Sequence, residues 1–270
     1  MNRVDQLPGL AWHKLGYASL SGALGEFLER FDGAVTSMAE RLGATPLDVP
    51  SIISVDTLER CGYLESFPHI AMLAARLAEP PGRSKLQGCG CLLNPAACYH
   101  VYARLQGATL DELSLATLKA SCFRQERFYA PLARQANFRM REIVAVGHAA
   151  EVKAILQRLR SAIAQWCDEI DLAIDFKAAT DPFFLGEQDP KFAMQRLGER
   201  KTEIVLPDGL AVGSINFHGD FFGEAFDIST AEGAAHSGCV AFGLERWLYA
   251  YAQRFGGDAG SWPLPEIPRG

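Results

Sequence analysis

The residues predict an α+β fold, a mostly antiparallel sheet flanked by helices, and three observations carry that expectation. Strand-like stretches cluster in the second half of the chain, at "TEIVLP", "LAVGSINFH" and "EAFDIST". Residues 120–149 read as strand, long loop, strand. Helical patterns stand before, between and after these stretches instead of alternating with single strands as parallel βαβ units do.

Taken in order, "ALGEFLERFDGAVTSMAERLG" (23–43) repeats apolar residues at helical spacing and stops at Gly43. "ATPLDVPSIIS" follows as an extended segment broken by Pro46 and Pro50. Residues 54–77 read as a short helix, a turn near Gly62 and a second helix. "GCGCLLNPAACYHVYARLQG" (88–107) reads as strand, a turn at Asn94-Pro95, and a strand or short helix, and "TLDELSLATLK" (109–119) as a short capped helix. "HAAEVKAILQRLRSAIAQWCDEIDL" (148–172) is the clearest amphipathic helix. A loop with "DPFF" (181–184), a helix near 190–198, the three strands and a final helix, "GLERWLYAYAQRFG" (243–256), complete the chain. No internal repeat or linker interrupts it, so residues 1–270 are expected to form a single domain with a helical insertion at about 148–200.

Composition restricts the function classes. At 49% hydrophobic and 21% charged the chain can bury a full core. A net charge of -6 argues against broad nucleic-acid binding, which requires many phosphates to be neutralised by Lys and Arg. No run approaches the ~20 apolar residues of a membrane span, and "MNRVDQLPGL" has neither a signal-peptide nor a transit pattern, so a cytoplasmic protein is expected. Seven irregularly spaced cysteines then read as reduced thiols or metal ligands.

The stretches "CFRQE" (122–126) and "FRMRE" (138–142) carry the chemistry. Residues two apart on a strand share a face, which groups Arg124 with Glu126, and Phe138 with Met140 and Glu142. A face bearing arginine, glutamate and an aromatic ring suits a nucleotide: guanidinium on phosphate, carboxylate toward the base amino group, ring against the base. Arg246, opening the last helix, adds a second guanidinium for the base or a phosphate.

At these residues the chain resembles the class II aminoacyl-tRNA synthetases. "FRQE…RQANFRMREIV" is similar to their motif 2, "GCVAFGLERWLYA" to motif 3 and "LDVPSII" to motif 1, over residues 45–256, with the zinc-dependent seryl enzymes of methanogens closest in pattern. A chain of this length looks like the amino acid:[carrier protein] ligases, truncated relatives of those synthetases. The resemblance implies the class II synthetase catalytic fold and a catalytic pair, Arg124 and Arg246. It implies that Arg124 binds the α-phosphate of ATP, Glu126 faces the adenine, Phe138 and Arg246 sandwich the base, and Arg134 and Gln135 reach the outer phosphates and the adenine edge. Seryl enzymes carry a magnesium-holding glutamate on the strand that here reads "LAVGS", which has no acidic residue. Leu210, Ala211, Val212 and Gly213 are therefore expected to line the ATP site through backbone groups. The magnesium ligands stay open, with Asp227 either a substitute or a strand-end carboxylate.

The same resemblance implies one catalytic zinc per chain on Cys98, Glu142 and Cys239, with Glu142 also at the amino-acid substrate; Cys, Glu and an open fourth position suit that ion. Cys89 and Cys91 have poor zinc spacing and read as structural, Cys61, Cys122 and Cys167 as core, and His100, His218 and His236 as ordinary interior residues. The implied reaction consumes ATP with Mg2+ and a small amino acid, glycine or alanine, forms the aminoacyl-adenylate, and passes the aminoacyl group to the phosphopantetheine thiol of a carrier protein. A homodimer built around Pro50, without tRNA or membrane partners, completes the expectation. A tRNA-charging seryl-type synthetase and a silent synthetase-like binding protein are the alternatives. For carrier docking, Lys153, Arg158 and Arg160, and Lys191, Arg196, Arg200 and Lys201, supply local positive charge.

Overall fold

The computed structural model describes residues 3–77, 86–180 and 200–264. A small hairpin, β1 (Leu10–His13) and β2 (Tyr17–Leu20), precedes α1 (Gly22–Arg41). Then come β3 (Thr45–Leu47), β4 (Ile52–Ser54), α2 (Val55–Arg60), α3 (Tyr63–Ser66), β5 (Leu73–Leu77), β6 (Leu86–Leu93) and α4 (Tyr99–Arg104). The long hairpin β7 (Ser114–Phe123) and β8 (Asn137–Gly147) leads into α5 (Ala149–Glu169), β9 (Asp175–Ala178), β10 (Lys201–Val205) and β11 (Ala211–Gly219). Helix α6 (Phe221–Phe226), the short pair β12 (Ser229–Thr230) and β13 (Gly233–Ala234), β14 (His236–Gly243) and α7 (Leu244–Phe255) close the chain.

Seven strands form the main sheet in the order β3-β7-β8-β14-β11-β10-β9, with every neighbouring pair antiparallel except the parallel β3/β7 edge. Because alternate residues of a strand face opposite ways, each central strand feeds two cores. On β8, Ile143 and Ala145 join the core formed by α1, α5 and α7, while Val144 and Val146 join the one formed with α4 and α6. Helix α1 fits its side through Leu24, Phe27, Leu28, Phe31 and Val35, a repeat at helical period, and Gly43 follows with φ +90. Each such side chain removed from water is worth ~1.5–3 kcal/mol. Helix α7 buries Leu244, Trp247, Leu248 and Tyr251 and ends at Gly256, whose φ of +85 only glycine adopts freely.

Three expectations are corrected. Residues 73–77, read as helix, are strand β5, because pairing with β6 overrides an Ala/Leu-rich local preference. The stretch 109–119 is not a short helix: β7 begins at Ser114. Of the three expected late strands, "EAFDIST" begins in α6, which sets Phe222 and Phe226 four apart on its buried side, and is strand only at Ser229–Thr230. The amphipathic helix is present as α5, whereas "DPFF", the helix near 190–198 and Lys191 and Arg196 lie outside the described residues. No helix among the described residues is long and apolar enough to cross a membrane.

Candidate active site

On the face of the sheet shared with α4 and α6 lies a cavity of about 460 Å³. It is lined by Arg124, Glu126, Phe138 and Arg246, by Gln135, and by Cys98, Glu142 and Cys239. Two groups that the sequence separates by up to 148 residues thus share one space, because β8 carries Phe138 and Glu142 four residues apart on the same face.

The arginine-rich group is tightly anchored. Strand β7 ends at Phe123, so Arg124 and Glu126 stand just beyond it and not within the strand as expected. Arg124 donates its backbone N–H to Ala136 O at 2.9 Å and its Nε to Pro95 O at 3.1 Å. Its guanidinium sits over the Phe138 ring, 5.3 Å from the centroid. Arg134 pairs with Glu126 at 2.7 Å. Arg246 donates Nε to Ala133 O at 2.8 Å and Nη1 to Ala211 O at 2.9 Å, tying the loop between β7 and β8 to the start of β11. Desolvation, then the charges of Arg124 and Arg134, bring its pKa down to about 10, so it stays cationic at neutral pH. The tip of that loop holds Leu132 at φ +58, a conformation costly outside glycine, and compensates by burying its side chain. Gln135 is buried, donates Nε2 to Asn137 O at 2.8 Å and leaves Oε1 without a hydrogen-bond partner beside the cavity.

Ala211, Val212 and Gly213 line the cavity; a Cβ at Gly213 would come within 2.6 Å of Ala241 O, so only glycine permits β11 and β14 to approach there. Leu210 is not among the lining residues: it closes a turn, accepting from Leu206 N at 2.9 Å, and packs on the opposite core. Arg134 also stands outside the lining, behind Glu126. Asp227 follows α6 at φ +55 and faces Arg60 at 3.9 Å, exposed and away from the cavity.

At the other end, donor atoms of Cys98, Glu142 and Cys239 all lie within 4.8 Å of one another, and all three residues are buried. Cys98 caps α4, Glu142 is on β8 and Cys239 on β14. The backbone N–H of Ala97 donates to Glu142 Oε1 at 2.8 Å, holding the carboxylate toward the sulfurs. Burial, with the charge of Cys239, pushes the Glu142 carboxyl up to about 8. Hydrogen bonding to Cys239 and burial hold the Cys98 thiol well above its ordinary range, and receiving hydrogen bonds, first from Cys98, brings Cys239 well below it. Three acidic groups driven together out of water repel one another as anions, and a bound cation reverses that cost. The donor set of two thiolates and a carboxylate fits zinc, whose sulfur bonds of about 2.3 Å set tetrahedral ligand atoms ~3.8 Å apart.

Sequence reading missed several lining residues. Glu203, on β10 opposite Ser214, enters the cavity with Asn216, His218 and Asp220. The only sequence signal for Glu203 is its place in the alternation of "TEIVLP".

No family model matches the chain. It is 30% identical over 286 residues to amino acid–[acyl-carrier-protein] ligase 1 of Bradyrhizobium diazoefficiens, covering 96% of this chain and 87% of that protein. The chain belongs to the amino acid–[acyl-carrier-protein] ligase family. The second such ligase of that bacterium is 29% identical, with 97% and 85% covered. A type-2 serine–tRNA ligase of Methanopyrus kandleri is 24% identical over 94% of this ligase, which spans 55% of that protein. Among solved structures, M. kandleri SerRS in complex with A. aeolicus tRNASec superposes with a TM-score of 0.75 at 21% identity, covering 100% of this chain and 61% of that one. Giardia lamblia prolyl-tRNA synthetase with prolyl-adenylate gives 0.71 at 14%, covering 97% and 53%. The ligase has the class II aminoacyl-tRNA synthetase catalytic fold.

Proposed function

We propose that the chain, acting as one catalytic unit, activates glycine or alanine with ATP as the aminoacyl-adenylate and transfers the aminoacyl group to the phosphopantetheine thiol of a carrier protein. The observation that carries this reading is the shared cavity, with Arg124, Phe138 and Arg246 at one end and Cys98, Glu142 and Cys239 at the other. An amino acid held at the second end directs its carboxylate toward the α-phosphate of a nucleotide held at the first. Over nearly the whole chain the identity is 30% to the carrier-protein ligase against 24% to the M. kandleri serine–tRNA ligase, which favours the carrier as acceptor.

In the first step a carboxylate oxygen of the amino acid attacks the α-phosphorus and pyrophosphate leaves. Arg124 stabilises the charge that grows on the α-phosphate, a role whose removal costs about 10²–10³-fold in rate. Phe138 and Arg246 hold the base, and Arg246 does so from a fixed position because both its backbone acceptors belong to the site walls. Glu203 offers the carboxylate for the magnesium of Mg·ATP that "LAVGS" lacks. Zinc on Cys98, Glu142 and Cys239 would supply a Lewis-acid position for the neutral α-amino group. In the second step the carrier thiol attacks the acyl carbon, the C–O bond to AMP breaks and the thioester forms. Since the amino group is common to all amino acids, selection rests on the space around Cα, where one methylene is worth only ~1–3 kcal/mol. The exposed apolar residues Ile52, Leu73, Leu77 and Leu86 on the β4-β6-β5 sheet are the dimer face of this reading.

ATP–pyrophosphate exchange across a panel of free amino acids tests it. Exchange stimulated by glycine or alanine above all others is expected; preference for a large aromatic or cationic amino acid, or no exchange with any, refutes it.

A further inference from the structure

The trio at the buried end of the cavity is lopsided. Cys239 Sγ is approached by two nitrogens from β11, Asn216 Nδ2 at 3.4 Å and His218 Nε2 at 3.9 Å. Asn216 lies directly opposite Cys239 in the β11/β14 register, and the register then slips: Phe217 faces Gly238 and Gly219 faces Ser237, which leaves His218 as the extra residue of a bulge. Asn216 and His218 are two apart, so strand alternation sets both on one face, and the bulge leaves His218 without a residue directly opposite it. Both side chains line the cavity.

The ring is held from behind. His218 Nδ1 lies 3.2 Å from Tyr102 Oη and 3.3 Å from Ser237 Oγ, both on fully buried residues. Phe222 stands edge-on to the ring at 4.9 Å and stacks on Tyr102 at 4.1 Å. A metal-binding cysteine is a thiolate, which only accepts hydrogen bonds. The nitrogen facing it must therefore carry the proton, and Nδ1 takes its hydrogen bond from the hydroxyls behind.

We propose that His218, together with Asn216, is a positioning residue: its Nε2–H, locked in that tautomer by Tyr102 and Ser237, orients the Cys239 sulfur and sets how tightly the trio holds zinc. This rests on the metal reading given above. Outer partners of this kind are worth ~10–100-fold in metal affinity.

The test is zinc affinity by chelator competition, with bound zinc counted by elemental analysis, on wild type, His218→Phe, His218→Gln and His218→Asn. Phe keeps the ring packing without the donor; Gln places an amide N–H near the position of Nε2; Asn reaches only that of Nδ1. The proposal expects zinc bound ~10–100-fold more weakly by the Phe and Asn variants and within a few-fold of wild type by Gln. Should the Phe variant not fold, the Gln–Asn difference decides. Wild type that binds tightly while all variants bind as well overturns this inference alone, and wild type that takes up no zinc overturns the metal reading with it.

Discussion

Behind Glu142, on the opposite face of β8, Arg141 is buried against Asp32 of α1, with Nε donating to Oδ1 at 2.7 Å and Nη2 to Oδ2 at 2.9 Å. The side chains are 9% and 7% exposed. Replacing Asp32 with Asn keeps the shape but leaves the guanidinium without its counter-charge, and breaking a buried pair this way costs ~3–5 kcal/mol. Lys119, 3.1 Å from Asp32 and also paired with Glu29, loses a partner too, but it is nearly a third exposed and adds little. We expect about 3–4 kcal/mol, or ~6–16 °C in Tm for a chain of this size. The pH dependence has a defined sign. Burial alone would raise the Asp32 pKa, but the hydrogen bonds and charges of Arg141 and Lys119 outweigh it and hold the carboxyl below its ordinary range. Its contribution is therefore full above the unfolded-state value, about 3.9, and lost as pH falls through the lower folded-state value. Urea denaturation of wild type and Asp32→Asn at neutral and acidic pH measures the gap. A difference under ~0.5 kcal/mol at neutral pH, the range of ordinary surface changes, or a gap undiminished in strong acid, would refute the reasoning.

Arg246→Ala removes both anchors between the β7–β8 loop and β11, and pyrophosphate exchange should fall at least ~100-fold while the far-ultraviolet circular dichroism is unchanged; exchange within a few-fold of wild type contradicts the assigned role. Leu86→Lys in the exposed apolar face should convert a dimer into a monomer by light scattering at micromolar concentration, and a wild-type monomer would remove that face from the account. Charge reversal at the exposed Arg158 and Arg160 of α5 should slow transfer to the carrier, reduce its salt dependence and leave exchange intact; transfer at the wild-type rate places the docking surface elsewhere.

The site was legible where its chemistry is local to a motif. Arg124, Glu126, Phe138, Glu142 and Arg246 stand in three short stretches, and Cys98 and Cys239 come with the same family pattern, so their convergence in one cavity follows from the expected sheet. Residues whose partners arrive from other strands were not legible: alternation in "SINFHGD" puts Asn216 and His218 on one face, but nothing in it shows that Cys239 lies beside them, or that Glu203 one strand away enters the same space. The strand β7 was misread at its start because Leu115, Ala116, Thr117 and Leu118 are all buried, which erases the two-residue alternation that marks a strand. Strand β5 failed for the opposite reason, an exposed Leu/Ala segment whose conformation is set by pairing with β6.

The central claim is that one cavity performs both activation and transfer. Intact-mass analysis of a phosphopantetheinylated carrier protein, incubated with the ligase, ATP and glycine or alanine, tests it most directly. The account predicts a mass gain of one aminoacyl residue, reversed by hydroxylamine as a thioester requires, dependent on ATP and abolished in both Cys239→Ser and Arg124→Ala. A carrier that stays unmodified while the wild-type ligase catalyses pyrophosphate exchange would contradict it.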